Sequence, residues 1–214
     1  MNLDSYKTLV FDCDGVVLNS NKVKTEAFFK AALPYGENAA QQLVDYHVAR
    51  GGISRYKKFE WFLENIVAQQ SGPNLAQLLA TYAAEVRQGL LTCDIAEGLA
   101  QLREKTKHAN WLIVSGGDQQ ELREVFAERD IAELFDGGIF GSPDSKDEIL
   151  GREIRTGNIK KEALFLGDSK YDHQASTYAG LEFVFLSGWT ELQNWSDFCH
   201  SYNLDNYSSL LQLT

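Results

Sequence analysis

Two carboxylates at the end of an apolar run are the residues of this chain best placed to do chemistry. Leu9-Val10-Phe11 leads into Asp12-Cys13-Asp14-Gly15-Val16. In an extended chain the i, i+2 spacing turns both acids to one side and Cys13 to the other. An Asp carboxylate can attack phosphorus to give an aspartyl-phosphate, and a second carboxyl two residues on can protonate a leaving oxygen and later activate water. The competing description is an ordinary strand followed by an Asp-rich turn, with Gly15 reversing the chain. The other strand ends decide between the two.

Three more apolar stretches end in distinctive polar groups. Ile113-Val114 is followed by Ser115-Gly116-Gly117; the next by Gly141-Ser142-Pro143 and then Lys146 at the start of a helix; Leu164-Phe165-Leu166 by Gly167-Asp168-Ser169-Lys170-Tyr171-Asp172. Open α/β sheets place their chemistry at the carboxyl ends of their strands, so these groups are expected to converge. Four crowded carboxylates repel one another unless a cation sits among them, and an all-oxygen set suits Mg²⁺, which binds one or two carboxylates plus a substrate phosphate. A phosphate dianion needs donors and positive charge, which Ser115, the Gly116 amide and Lys146 can supply. Ser169 and Lys170 read as exposed loop residues.

The elements that must hold these groups follow from periodicity. A strand over about Lys7 to Phe11 is followed by helical stretches at Lys22–Leu33, Glu37–Val48, Arg55–Gln69 and Leu75–Val86, separated by Pro34-Tyr35-Gly36 and Ser71-Gly72-Pro73. From Leu91 strands and helices alternate: helix Ile95–Lys105, strand Trp111–Val114, helix Gln119–Arg129, strand Phe135–Phe140, helix Lys146–Thr156, strand Ala163–Leu166, helix Tyr171–Ala179 and strand Phe183–Leu186. The pattern predicts a Rossmann-like α/β fold, a parallel sheet of about five strands with helices on both faces, interrupted by an all-helical insertion. Residues 1–17 and 91–214 are expected to form the core and residues 18–90 the insertion. The tail from Glu191 to Thr214 reads as a short helix or two against the sheet.

Composition narrows the class. The chain has 214 residues, is 44% hydrophobic and 23% charged, and has no apolar run able to span a bilayer. No leader with an apolar core and cleavage site precedes the first strand, so a cytoplasmic location is expected. Cys13, Cys93 and Cys199 are too few and scattered for a disulfide framework, and Cys13, between two anions, reads as packing. A net charge of −10 argues against a nucleic-acid partner. The charge is uneven: residues 18–90 hold eight Lys/Arg and six Asp/Glu, the remainder twelve and twenty-four.

With these motifs in order, the sequence resembles the haloacid dehalogenase-like hydrolases over roughly residues 7 to 188. Asp12-Cys13-Asp14-Gly15-Val16 matches the family's DxDGV, Ser115 its hydroxyl at a strand end, Lys146 its lysine opening a later helix, and Gly167 to Asp172 its GDxxxD. The resemblance implies Asp12 as nucleophile and, through one oxygen, a Mg²⁺ ligand. It implies Asp14 as general acid/base with its backbone carbonyl a second ligand, Asp168 as the third, and Asp172 as a ligand or an outer acid holding a metal-bound water. Ser115, Gly116 and Lys146 would bind the phosphoryl group. The acid at position 14 matches the family's phosphatases and phosphomutases, and the insertion resembles its small helical cap.

The expectation is therefore a Mg²⁺-dependent phosphatase acting on a small phosphorylated metabolite, a sugar or organic-acid phosphate. The alternatives are a phosphomutase of the β-phosphoglucomutase kind and a non-catalytic sugar-phosphate sensor. Within the insertion, Arg50, flanking Gly51-Gly52, is the candidate contact to the leaving group, ahead of His47, Arg55 and Lys57, since surface basic residues are mostly solvated.

Overall fold

The computed structural model describes residues 1–214. Thr8–Phe11 (β1) is buried at every position, as a strand covered on both faces must be. On one side of it lie Asn110–Asp118 (β2) and Gly138–Ser142 (β3); on the other lie Ala163–Gly167 (β4), Glu182–Leu186 (β5) and Asn206–Tyr207 (β6), in the order β3-β2-β1-β4-β5-β6. All neighbouring strands are parallel. This is the Rossmann-like α/β fold that the alternation predicts. The strand order reverses around β1, which opens a crevice at the carboxyl edge.

Side-chain parity sorts the sheet into its two faces. Leu9 and Phe11 pack with Trp111, Ile113, Leu164 and Leu166 in the main core. Val10 packs with Leu112, Val114 and Phe165 against Ile149, Leu150 and Ala175. These last three lie on Lys146–Arg155 (α7) and Lys170–Ala179 (α8). Parity therefore sends Asp12, two residues after Val10, toward α7 and α8, and sends Cys13 into the main core, where it is fully buried.

After β1 come four helices, Asn21–Ala32 (α1), Glu37–Ala49 (α2), Arg55–Asn65 (α3) and Leu75–Thr92 (α4), spanning most of the expected insertion. α4 starts after Pro73 because Asn74 and Gln77 cap it reciprocally. Phe28 of α1 meets Tyr82 of α4 at 4.4 Å and Phe59 of α3 at 5.1 Å between ring centroids, which ties three helices into one apolar centre. The two connections to the sheet pair with each other at Leu18 and Ile95. That bridge delays the next helix: Leu99–Lys105 (α5) begins only after Gly98, four residues later than the periodicity predicts.

β2 is longer than its apolar run. It continues through Ser115-Gly116-Gly117 to Asp118, with its register against β3 shifting between Val114 and Asp118. Gln119–Glu128 (α6) follows directly, capped by the Asp118 side chain. The tail forms a helix, Trp195–Tyr202 (α9), and supplies the sixth strand, β6, a two-residue edge that the polar tail did not signal. No helix is long and apolar enough to cross a membrane.

Candidate active site

Asp12 extends the β1 ladder by donating its N–H to the Leu166 carbonyl at 2.9 Å, which fixes its side chain above the β1–β4 junction. Its Oδ1 is held by the Cys13 N–H at 2.7 Å and by Lys146 Nζ at 2.9 Å. Oδ2 carries no such donor. Lys146 is buried at the first position of α7, where a reciprocal cap between Ser145 and Glu148 starts the helix. It also pairs with Asp172 Oδ1. Asp172 Oδ2 accepts from Ser169 Oγ at 2.6 Å and from the Ser169 and Asp168 amides at 3.1 and 3.3 Å. Ser169 is thus no exposed loop residue: it is buried and caps α8, since its hydroxyl fixes the aspartate three residues on. Lys170 is exposed, as expected.

Oxygens of Asp12, Asp168 and Asp172 lie within 4.8 Å of one another. Three buried carboxylates with Lys146 alone among them leave an excess of negative charge, and an all-oxygen donor set fits a hard divalent cation. Asp172, with both oxygens engaged by protein donors, fits the outer position better than direct ligation. Gly15 makes this packing possible. Its φ is +75°, and a Cβ there would lie 2.1 Å from Asp168 Oδ2.

The crowding shifts the acids. Burial, then the Asp172 charge, pushes Asp12 up to about 7 against the opposing pull of Lys146. Burial, then Asp172 and Asp12, holds Asp168 well above the usual carboxylate range. Both groups bind protons more tightly when folded than when unfolded. Stability of the metal-free protein should therefore fall as pH rises from the ordinary carboxylate value, 3.8, to about 7. We expect the melting temperature in EDTA to drop across that window and Mg²⁺ to restore it at pH 7. A metal-free profile that is flat or rising would contradict the crowding.

Asp14 is treated differently. Burial acts upward on it, but Lys24 Nζ at 2.5 Å and Ser20 Oγ at 2.6 Å bring it below the usual range. Both partners come from the start of the insertion, so Asp14 is a base held ionised at the joint between insertion and sheet. Asn21 beside them donates to Asp168 Oδ2 at 2.8 Å and to the Trp189 carbonyl at 2.9 Å.

Ser115 is buried on the β2 extension, its Oγ accepting from the Gly117 N–H at 3.0 Å. The Gly116 carbonyl accepts from Ser142 Oγ at 2.8 Å. A Cβ on Gly116 would lie 2.2 Å from the Gly52 carbonyl, so the glycine turn of the insertion is seated directly on the β2 extension. Three ties hold it there: Arg55 with Glu121, Tyr56 Oη donating to Asp118 at 2.7 Å, and Arg87 with Glu124 and Glu128.

A cavity of about 220 Å³ lies between insertion and sheet, bounded below by Asp12, Asp14, Asp168 and Gly116 and above by the α1–α4 layer. Arg50 lines it but is exposed, its guanidinium 5.1 Å above the Tyr46 ring. His47 and Arg55, expected among solvated basic residues, are both buried, because they fall on the inward faces of α2 and α3. Lys57 is exposed. Sequence reasoning missed Lys24 and Lys58, whose signal was a lysine inside an apolar stripe: Lys24 with Ala27, Phe28 and Ala31, and Lys58 with Phe59 and Phe62. It also missed Asn21, Thr190 and Glu191, for which no local pattern exists.

A family model described as haloacid dehalogenase-like hydrolase matches residues 6–180. No curated protein sequence matches the chain. Among solved structures, a Lactobacillus plantarum protein predicted to be a phosphoglycolate phosphatase superposes with a TM-score of 0.74 at 18% identity, over 98% of each chain. β-Phosphoglucomutase from Clostridium difficile gives 0.74 at 19% identity, over 98% of this chain and 93% of that one. CbbY from Rhodobacter sphaeroides, solved with phosphate, gives 0.73 at 16% identity, over 97% and 96%. At these identities the likeness is one of fold.

Proposed function

The chain belongs to the haloacid dehalogenase-like hydrolases, and from that premise we propose that it is a Mg²⁺-dependent phosphatase. It removes phosphate from a small phosphorylated metabolite, a sugar or organic-acid phosphate, through an aspartyl-phosphate on Asp12. The observation that carries this reading is the placement of Asp12. Oδ1 is anchored by Cys13 and Lys146 while Oδ2 is left without a protein donor, beside a second acid, Asp14, held ionised by Lys24. That is a nucleophile with one oxygen fixed and one available, next to a base.

Asp12, Asp168 and the Asp14 carbonyl would hold Mg²⁺, whose charge would offset the carboxylates and the phosphoryl oxygens so that one anion can approach another. Asp12 forms the bond to phosphorus as the ester bond breaks, and the departing oxygen takes the proton that a monoanionic phosphate ester carries in, relayed through the ionised Asp14. Asp14, again ionised beside Lys24, takes a proton from water, which attacks the phosphorus and frees Asp12, and passes that proton to the departing phosphate. Ser115, the Gly116 amide and Lys146 hold the non-bridging oxygens, and Lys146 screens Asp12 from Asp172. The insertion acts as a cap, and seating the Gly52 turn on Gly116 excludes bulk water from the cavity.

Release of phosphate from p-nitrophenyl phosphate with Mg²⁺, lost in EDTA, tests the reading; robust metal-independent turnover would sink it. Glucose 6-phosphate formed from β-glucose 1-phosphate faster than free phosphate would identify a phosphomutase instead. The seam makes a separate demand. Gly116→Ala places a methyl against the Gly52 carbonyl and should hold the cap off the sheet, lowering kcat/KM by about 10²-fold, the usual effect of an ångström-scale misplacement. Steady-state kinetics that match the parent enzyme would show that closure at this seam is not needed.

A further inference from the structure

We infer that Lys58, seated on His47 in the roof of the cavity, is a specificity-determining residue that receives a second anionic group of the substrate, remote from the phosphoryl group transferred to Asp12. The inference rests on the phosphatase reading of the same cavity and adds the class of leaving group that it takes.

Each of the other buried cations around the cavity has a carboxylate: Lys24 has Asp14, Arg55 has Glu121, and Lys146 has Asp12 and Asp172. Lys58 has none. Its residue is 2% exposed, and its one hydrogen bond joins Nζ to His47 Nδ1 at 2.6 Å. Burial, then the Lys58 charge, pushes His47 well below its usual range, so the imidazole is neutral and accepts. An ammonium has three donors, and one is used. The Phe28 ring centroid lies 5.5 Å from Nζ. Burial and the Lys24 charge pull Lys58 down to about 7 against the attraction of Asp14 and Glu191, whose oxygens are bonded to Lys24 and Thr25 and not to Lys58. Glu191, in the segment after β5, accepts from Thr25 Oγ1 at 2.9 and 3.1 Å.

A buried cation without a counter-charge is costly, and a hydrophobic residue of the same length would pack better among Phe28, Phe59 and Phe62. An incoming carboxylate or phosphate removes the cost by supplying the missing charge and taking the two free donors. Lys58 lines the same cavity as Asp12. One substrate can therefore present a phosphoryl group to the floor and a second anion to the roof, which selects phosphorylated acids and bisphosphates over phosphates of neutral alcohols.

The test uses matched ligands on the full chain carrying Asp12→Asn, with Mg²⁺, measured by calorimetric titration. 6-Phosphogluconate against sorbitol 6-phosphate isolates a carboxylate, and glucose 1,6-bisphosphate against glucose 6-phosphate isolates a second phosphate. We expect at least one pair to favour the doubly anionic ligand by about tenfold or more, and Lys58→Met to bring that ratio to near one. The pair that responds identifies the anion. Equal affinities in both pairs, failure of every doubly anionic ligand to bind, or a ratio that survives Lys58→Met would each overturn the proposal. The comparison made with Lys58 in place stands even if Lys58→Met misfolds. Failure of the phosphatase reading is read separately, as absence of turnover of p-nitrophenyl phosphate, which has no second anion.

Discussion

Asp12→Asn should reduce phosphate release by at least about 10⁴-fold while leaving the metal-free protein more stable than its parent at neutral pH. The amide has no nucleophilic oxygen to offer phosphorus, so the covalent route is closed. Its Oδ1 still accepts from the Cys13 N–H and from Lys146, so the local geometry is kept. What disappears is one buried negative charge whose ionisation burial and Asp172 oppose. The gain should therefore grow as pH rises toward 7, where the parent carboxylate is forced to ionise. Mg²⁺ should stabilise the parent more than the variant, since the variant has one anionic ligand fewer. Turnover of p-nitrophenyl phosphate and melting temperatures with and without metal report the two effects independently. Residual turnover within tenfold of the parent would exclude Asp12 as nucleophile.

Lys146→Met is expected to impair both stability and activity. Lys146 is the one cation between Asp12 and Asp172, and its side chain is fully buried. Its removal leaves buried carboxylates without compensation, at a cost of about 3–5 kcal/mol. For a chain of this size that is roughly a 10 °C fall in melting temperature. Methionine keeps the length of the side chain and gives up the ammonium that lies 5.8 Å over the Phe165 ring, so the loss reports the charge and not a cavity. The same substitution removes a donor to the phosphoryl oxygens and should lower kcat sharply even at saturating Mg²⁺. Thermal denaturation across pH separates the two effects: the stability deficit should narrow at pH 4, where Asp12, raised by burial, is protonated, whereas the kinetic deficit should not. A deficit independent of pH would point to packing.

These two residues were legible in the sequence, and the reason is local. Asp12 and Asp168 end apolar runs, Lys146 and Asp172 lie in the first turn of helices that follow strands, and the fold carries such positions to one edge. Parity along β1 even assigned Cys13 to the opposite face. Lys24, Lys58 and Arg55 were not legible in the same way. Each lies on a helix of the insertion, where the apolar stripe shows which face is inward but nothing shows what that face meets. Arg55 is matched by Glu121 on α6, across the seam, and Lys24 by an aspartate that leaves β1. Such pairs are set by how two layers dock, a long-range property with no short pattern. The tail was opaque for a related reason. β6 has two residues and Thr190 acts through the Asp168 carbonyl at 2.7 Å, contacts too few to impose a periodicity.

The single amide of Asn21 has a consequence of a thermodynamic kind. It is the first residue of α1, and it bonds both the carboxylate of Asp168 and the carbonyl of Trp189. The helix that opens the insertion and an oxygen of the carboxylate cluster are thus parts of one bonded unit. Two equilibria that share a unit are reciprocal: whatever free energy a cation bound at the cluster would contribute to the posture of α1, that posture would return to the affinity for the cation.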